Sequence, residues 1–157
     1  MKVKLIVVGK TNVNYLKDGE TEYDQRIKHY INFEQLIISD VKNAKNRSSI
    51  ELKNKEGQQI LSKINTSDYV VLLDEKGKQF SSKEFSNFLN KKILKSTKYL
   101  VFVVGGAFGF SDEVYKRADY KLSLSKMTFT HQMIRMVFKE QLYRALTIIK
   151  GEKYHHE

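Results

Sequence analysis

The chain has 157 residues, lacks both cysteine and proline, and carries a formal charge of +10 from 28 basic and 18 acidic residues. Without cysteine, disulfides, iron–sulfur clusters and thiolate zinc sites are excluded, and a reducing compartment fits. The length suits one compact domain over residues 1–157, and the basic excess points to a polyanionic partner.

The opening "MKVKLIVVGK" reads as a strand from Lys2 to Val8. Its apolar run stops at Gly9, too short for a signal segment or a membrane span. A cytoplasmic protein with no membrane association is expected. Helical spacing at Leu16, Tyr23, Ile27 and Ile31 predicts a helix over 13–31, and Phe33 to Ser39 reads as a second strand. Residues 40–47 are polar and basic, a loop carrying Lys42, Lys45 and Arg47. Ser48 with Glu51 forms a capping-box pattern that opens a helix to about Ile64. Tyr69 to Leu73 is a third strand ending in the turn "DEKGK". Ser81 with Glu84 is a second capping-box pattern, opening a helix to about Leu94.

A fourth strand, Tyr99 to Val104, reads as buried on both faces and runs straight into Gly105-Gly106. A short helix follows from Ser111, then a fifth strand from Tyr120 to Leu124. A last helix runs from about His131 to Lys150 and is stopped by Gly151. Strand and helix alternate with short connections, so the fold class is α/β, a mainly parallel sheet flanked by helices. Ligands of such sheets bind beyond the carboxyl ends of the strands. That singles out 74–78, 105–110 and 125–130.

Taken singly, each of these loops has two readings. Gly105-Gly106 bares the main chain for a flat ligand, or it supplies the dihedrals of a tight turn. No Lys-Ser or Lys-Thr follows, which argues against a triphosphate cradle. Met127 and Phe129 in "SLSKMTF" line a pocket, or they cover the core.

Together, "LLDEKGKQFSS", "VFVVGGAFG", "LSLSKMTFTHQMIRMVFKEQLYRA" and the tail "YHHE" resemble the bacterial large-subunit ribosomal RNA pseudouridine N3-methyltransferases, of the SPOUT class. The resemblance covers nearly the whole chain. Thr130 stands where many relatives of that family have proline before "HQM", and threonine is a good N-cap. The resemblance implies a SPOUT-type fold with a C-terminal trefoil knot. It also implies S-adenosylmethionine bound by three C-terminal loops, carried over to Leu73, Gly105, Leu124, Ser125, Lys126, Met127, Thr128 and Phe129. On that view the glycines make room for the cofactor. Its implied substrate is a pseudouridine of 23S ribosomal RNA in the ribosome, in joined 70S particles.

Wound at 3.6 residues per turn, the last helix is apolar over a wide arc, with Met133, Met136 and Tyr143 on much of the rest. A helix of this kind is covered from more than one side. The resemblance implies a homodimer with this helix at the interface; the alternative is burial within its own fold. Arg135 and Lys139 share what reads as a polar flank, and Glu140 with Arg144 has ion-pair spacing. Methylation at N3 needs removal of a weakly acidic proton, and histidine is the usual base near neutral pH. His155 is the candidate base, with Tyr154 to orient or stack on the acceptor. Arg135 or Arg144 would steady the imide anion. Four histidines without cysteine or a carboxylate cluster make no metal site. Two other readings fit the composition: a non-catalytic basic RNA-binding module, and a small-molecule nucleotide-binding α/β enzyme.

Overall fold

Each strand is followed by a helix that carries the chain back to the same end of the sheet, so neighbouring strands pair in parallel. The computed structural model describes residues 1–156. Its strands are β1 (Lys2–Val8), β2 (Asn32–Ile38), β3 (Tyr69–Gln79), β4 (Tyr99–Val104) and β5 (Tyr120–Ser123). They form one sheet in the order β2-β1-β4-β3-β5, every pair parallel. The helices are α1 (Asn14–Lys28), α2 (Ser49–Ser62), α3 (Ser82–Leu94), α4 (Asp112–Arg117) and α5 (Met133–Ile149), with a 3-10 turn at Ala44–Asn46.

Alternate strand residues feed two cores. Val3, Leu5, Val7, Val71, Phe102 and Leu122 pack against α1, α3 and α5 through residues such as Ile27, Phe85, Leu89, Phe138 and Leu142. Ile6, Val8, Val70, Leu72, Val101 and Val103 face α2 and α4 through Ile60 and Val114. This is a three-layer arrangement, and each fully buried side chain of this size contributes roughly 1.5–3 kcal/mol.

Several boundaries differ from the sequence reading. Helix α1 stops at Lys28 because the Tyr30 and Ile31 amides both donate to the Ile27 carbonyl and close the last turn. Ser81 and Glu84 form the full reciprocal capping box, whereas at α2 only the Glu51 amide to Ser48 hydroxyl bond is made. Strand β3 does not turn at Asp74. It stays extended to Gln79, and Leu73 and Lys78 both register with Leu122, so residues 74–77 bulge out of the ladder. A bulge re-aims the chain without ending the strand.

Helix α5 is the middle helix of its layer, between α1 and α3. That alone accounts for much of its wide apolar arc. Arg135 and Lys139 are not on a polar flank: both are buried. Arg135 donates to the carbonyls of Val8 (2.6 Å), Gly9 (2.9 Å) and His131 (3.0 Å) and to the Thr11 hydroxyl (3.1 Å). Lys139 meets Glu20 at 3.2 Å and Asp24 at 2.9 Å. Periodicity sorted these two by chemistry alone, and apart from the His131 carbonyl the groups that receive them lie on β1, its following loop and α1.

Between edge strand β5 and α5, residues 124–132 cross the carboxyl ends of the sheet. The Thr128 hydroxyl donates to Glu75 in the β3 bulge, and Gln132 accepts the Asn12 amide (3.1 Å) beyond β1. Thr130 caps the turn into α5, its hydroxyl accepting from the Met133 amide at 3.2 Å and its carbonyl from the Ile134 amide at 3.0 Å.

Candidate active site

The β3 bulge and the loops that follow β4 and β5 enclose a cavity of about 620 Å³. That is the size of a small-molecule site. Leu73, Val104, Leu124, Met127, Phe129 and Ile134 supply apolar wall, and the backbone of residues 105–109 supplies polar edge. Among the residues expected to hold a cofactor, Leu73, Gly105, Leu124, Ser125, Met127, Thr128 and Phe129 line the cavity; Lys126 is exposed and does not.

Local hydrogen bonds shape the lining. The Ser123 hydroxyl donates to the Ser125 carbonyl (2.8 Å), and the Ser125 hydroxyl accepts from the Met127 amide (2.9 Å). This tight turn leaves Met127 80% exposed. A thioether held in water at a cavity rim suits contact with a flat ligand. On the β3 side, Asp74 accepts from the Lys76 amide at 2.9 Å and from the Tyr115 hydroxyl. Burial first, and then Asp74, pushes the Tyr115 pKa well above its ordinary value.

The two glycines have a specific physical reason. A Cβ on Gly106 would fall 2.4 Å from a Glu56 carboxylate oxygen, and one on Gly105 would fall 3.1 Å from the Phe110 ring. The chain's own atoms therefore crowd both positions, at Gly106 through the movable end of the Glu56 side chain, which qualifies the idea that both glycines exist to admit a ligand. Both still line the cavity. The Glu56 carboxyl accepts a bond from the Gly106 backbone. Even so its pKa is raised, chiefly by burial and then by Asp40.

Asp74, Glu75, Tyr115 and His131 also line the cavity and were not among the expected contacts. Asp74 and Glu75 were legible as the first residues after a strand. His131 stood in the "HQM" motif, read only as a helix start, and nothing in the sequence placed Tyr115 beside Asp74. Partial burial and then the Arg135 guanidinium push the His131 pKa below its ordinary value, with Asp40 opposing.

The expected catalytic residues lie elsewhere on the chain. Tyr154 packs edge-on against Tyr143 with centroids 4.7 Å apart, and its hydroxyl donates to Glu140 at 3.1 Å. Arg144 pairs with Glu140, lies 4.8 Å from the Tyr154 ring centroid, and comes within 3.4 Å of His155 Nδ1. This cluster sits toward the far end of α5, roughly 15 Å along the axis from Ile134 at 1.5 Å per residue. None of Arg144, Tyr154 and His155 is part of the cavity wall. Arg135 is behind it, with most of its donors bonded to protein oxygens. Glu157 lies outside the described residues.

Comparison with known proteins agrees with this architecture. The ribosomal RNA large subunit methyltransferase H of Parabacteroides distasonis is 56% identical over the full length of both chains. That of Flavobacterium psychrophilum is 53% identical, also over all of both. Among solved structures, a putative methyltransferase from Legionella pneumophila in complex with S-adenosylmethionine aligns at a TM-score of 0.50 and 12% identity. The alignment covers 92% of this chain and 66% of that one, and the likeness is one of fold. The profile of the predicted SPOUT methyltransferase family matches residues 1–155, and the chain belongs to that family.

Proposed function

We propose that this protein transfers a methyl group from S-adenosylmethionine to N3 of a pseudouridine in 23S ribosomal RNA, acting on assembled 70S ribosomes in the cytoplasm. The observation that carries this reading is the cavity built by the β3 bulge and the loops after β4 and β5 in a chain of this family. Full-length relatives named for methylation of large-subunit ribosomal RNA support the substrate class, and the +10 charge suits a phosphate-rich partner.

The lining fits the cofactor. Leu73, Leu124, Met127 and Phe129 offer apolar surface for a flat adenine, and the backbone at Gly105 offers donors and acceptors for its edge. When bound, S-adenosylmethionine supplies a methyl group already activated on a sulfonium sulfur. What remains for the protein is mainly to hold the acceptor nitrogen in line, a positioning task.

The tail cluster serves that task in a homodimer, where the Arg144, Tyr154 and His155 of one protomer close over the acceptor base at its partner's cavity. Tyr154 is suited to donate a hydrogen bond and not to act as a base: burial, then bonding with Tyr23 and Glu140, pushes its pKa well up. Arg144 would steady negative charge on the imide. Arg135 works as an anchor for the β1–α1 loop, with its donors already engaged.

The test is transfer of labelled methyl from S-adenosylmethionine to 70S ribosomes, isolated 50S subunits and naked 23S RNA. Transfer confined to 70S particles and mapped to a pseudouridine is the expected result. Cofactor binding without transfer to any RNA would leave the small-molecule enzyme as the better reading, and no cofactor binding would favour the silent RNA-binding module.

A further inference from the structure

The cavity wall contains five ionisable side chains: Asp74, Glu75, Lys76, Tyr115 and His131. Four are poorly suited to take a proton from an acceptor base. Asp74 already accepts from the Lys76 amide and the Tyr115 hydroxyl, and Glu75 accepts from the Thr128 hydroxyl. Tyr115 is committed as a donor to Asp74. A lysine ammonium offers donors only. His131 is different. Its ring has no hydrogen-bond partner among the described residues, and it stands at the entry to α5, exposed on its outer side. Its main chain is fixed, because the His131 carbonyl accepts from Arg135 Nε at 3.0 Å.

Two charged groups act on His131 itself, Arg135 and Asp40, and each has neighbours of its own. Arg135 on α5 holds the Gly9 carbonyl after β1 at 2.9 Å. The Asp40 carboxylate after β2 lies against Gly9, where a Cβ would fall 2.8 Å from its Oδ1. Glu56 on α2 sits against Gly106, and Glu20 on α1 faces Arg135 electrostatically. The imidazole thus feels one cation, Arg135, and one carboxylate, Asp40, where it lines the cavity.

We propose that His131 removes the N3 proton of the acceptor base, an assignment that rests on the methyltransferase reading above. The proton moves from N3 to the free imidazole nitrogen. The N3 electron pair forms the new bond to the methyl carbon, and the carbon–sulfur bond breaks with its electrons left on sulfur. The imidazolium then gives its proton to solvent at its exposed side. The lowered pKa keeps the ring neutral and proton-accepting near pH 7. The tail's His155, which lies against Arg144, then helps to grip the base and does not deprotonate it.

Single-turnover methylation of saturating ribosomes by wild type, His131→Gln and His155→Gln across pH tests this, alongside calorimetric binding of S-adenosylmethionine. NMR titration of the free protein, with His131 assigned by its loss in His131→Gln, adds a readout independent of turnover. The expected results are cofactor affinity within about threefold of wild type and a rate lowered about 100-fold or more in His131→Gln. The acidic limb of the pH–rate profile should vanish in His131→Gln but persist in His155→Gln, and the His131 midpoint should lie below that of an ordinary histidine. Added imidazole should partly restore His131→Ala. A surviving acidic limb in His131→Gln, or its loss in His155→Gln instead, overturns the assignment. If wild type itself methylates no ribosomal particle, the broader reading fails, a result separate from any difference between the variants.

Discussion

The Met136 thioether lies directly over the backbone of Gly19, so that a Cβ on Gly19 would sit 2.3 Å from the sulfur. This contact joins α5 to α1 within one chain. A substitution at Met136 therefore strikes intrachain packing, and it is a poor probe of self-association. Gly19→Val should force Met136 out of place and cost about 1–3 kcal/mol through overpacking. Urea unfolding measures this. The Gly19→Val/Met136→Ala pair should be less damaged than the sum of the two singles, and strict additivity would mean the contact is not made.

Lys139 is fully buried, with Glu20 and Asp24 as its partners. Lys139→Met removes the cation paired directly with both carboxylates and leaves buried carboxylate behind. Breaking such a group costs about 3–5 kcal/mol, whereas replacing all its members by neutral groups costs much less. We expect Lys139→Met to be strongly destabilised, and Lys139→Met with Glu20→Gln and Asp24→Asn to recover most of the loss in denaturant midpoint. Equal loss in the single and triple variants would show that packing alone matters there.

Glu56 gives a pH dependence of defined sign. Its folded pKa is raised above the ordinary 4.5 by burial and by Asp40. The folded state therefore holds the proton more tightly than the unfolded state. Its contribution to stability is present below about 4.5 and is lost as pH rises through the folded pKa. Glu56→Gln keeps an acceptor for Gly106 and removes the titration. Above that window, Glu56→Gln should be more stable relative to wild type than it is at pH 4, as read by thermal unfolding at several pH values. A constant difference across pH would refute the raised pKa.

Much of the fold was legible because alternation of strand and helix is written in hydrophobic period. β1 and β4 came out at their observed ends, and the Ser81–Glu84 box marked the start of α3. What escaped depends on contacts between distant segments. The β3 bulge exists only relative to β5, and the burial of Arg135 and Lys139 exists only relative to β1 and α1. In the cavity, the post-strand rule found Leu73, Gly105 and the Leu124–Phe129 loop. It did not find Tyr115, because the bond to Asp74 spans 41 positions. The crowding of Gly106 by Glu56 was likewise invisible, since a glycine pair before a turn looks the same whether a ligand or a carboxylate fills the space.

Gly105 tests the cavity as a cofactor site. Gly105→Val would drive a branched side chain against Phe110, which itself lines the cavity. We expect calorimetric affinity for S-adenosylmethionine to fall at least tenfold while the far-ultraviolet circular dichroism is kept. Unchanged affinity would place the cofactor elsewhere.

The tail separates positioning from cofactor binding. Glu152 accepts from Tyr30 just after α1, Tyr154 packs on Tyr143, and Arg144 meets His155, so these three tail residues are tied to the end of α1 and to α5 and are not part of the cavity wall of their own chain. Truncation after Gly151 should therefore leave S-adenosylmethionine affinity within about threefold. Methyl transfer to ribosomes should nevertheless collapse, because the groups that grip the acceptor base are gone. In a homodimer the lost groups belong to the partner's site. Mixing truncated protein with an excess of a full-length Gly105→Val chain should then restore part of the activity, since each mixed dimer has one intact cavity facing one intact tail. Light scattering must give about twice the chain mass for this to hold. A monomer mass, or no restoration in a mixture shown to exchange subunits, would argue that each tail serves its own chain.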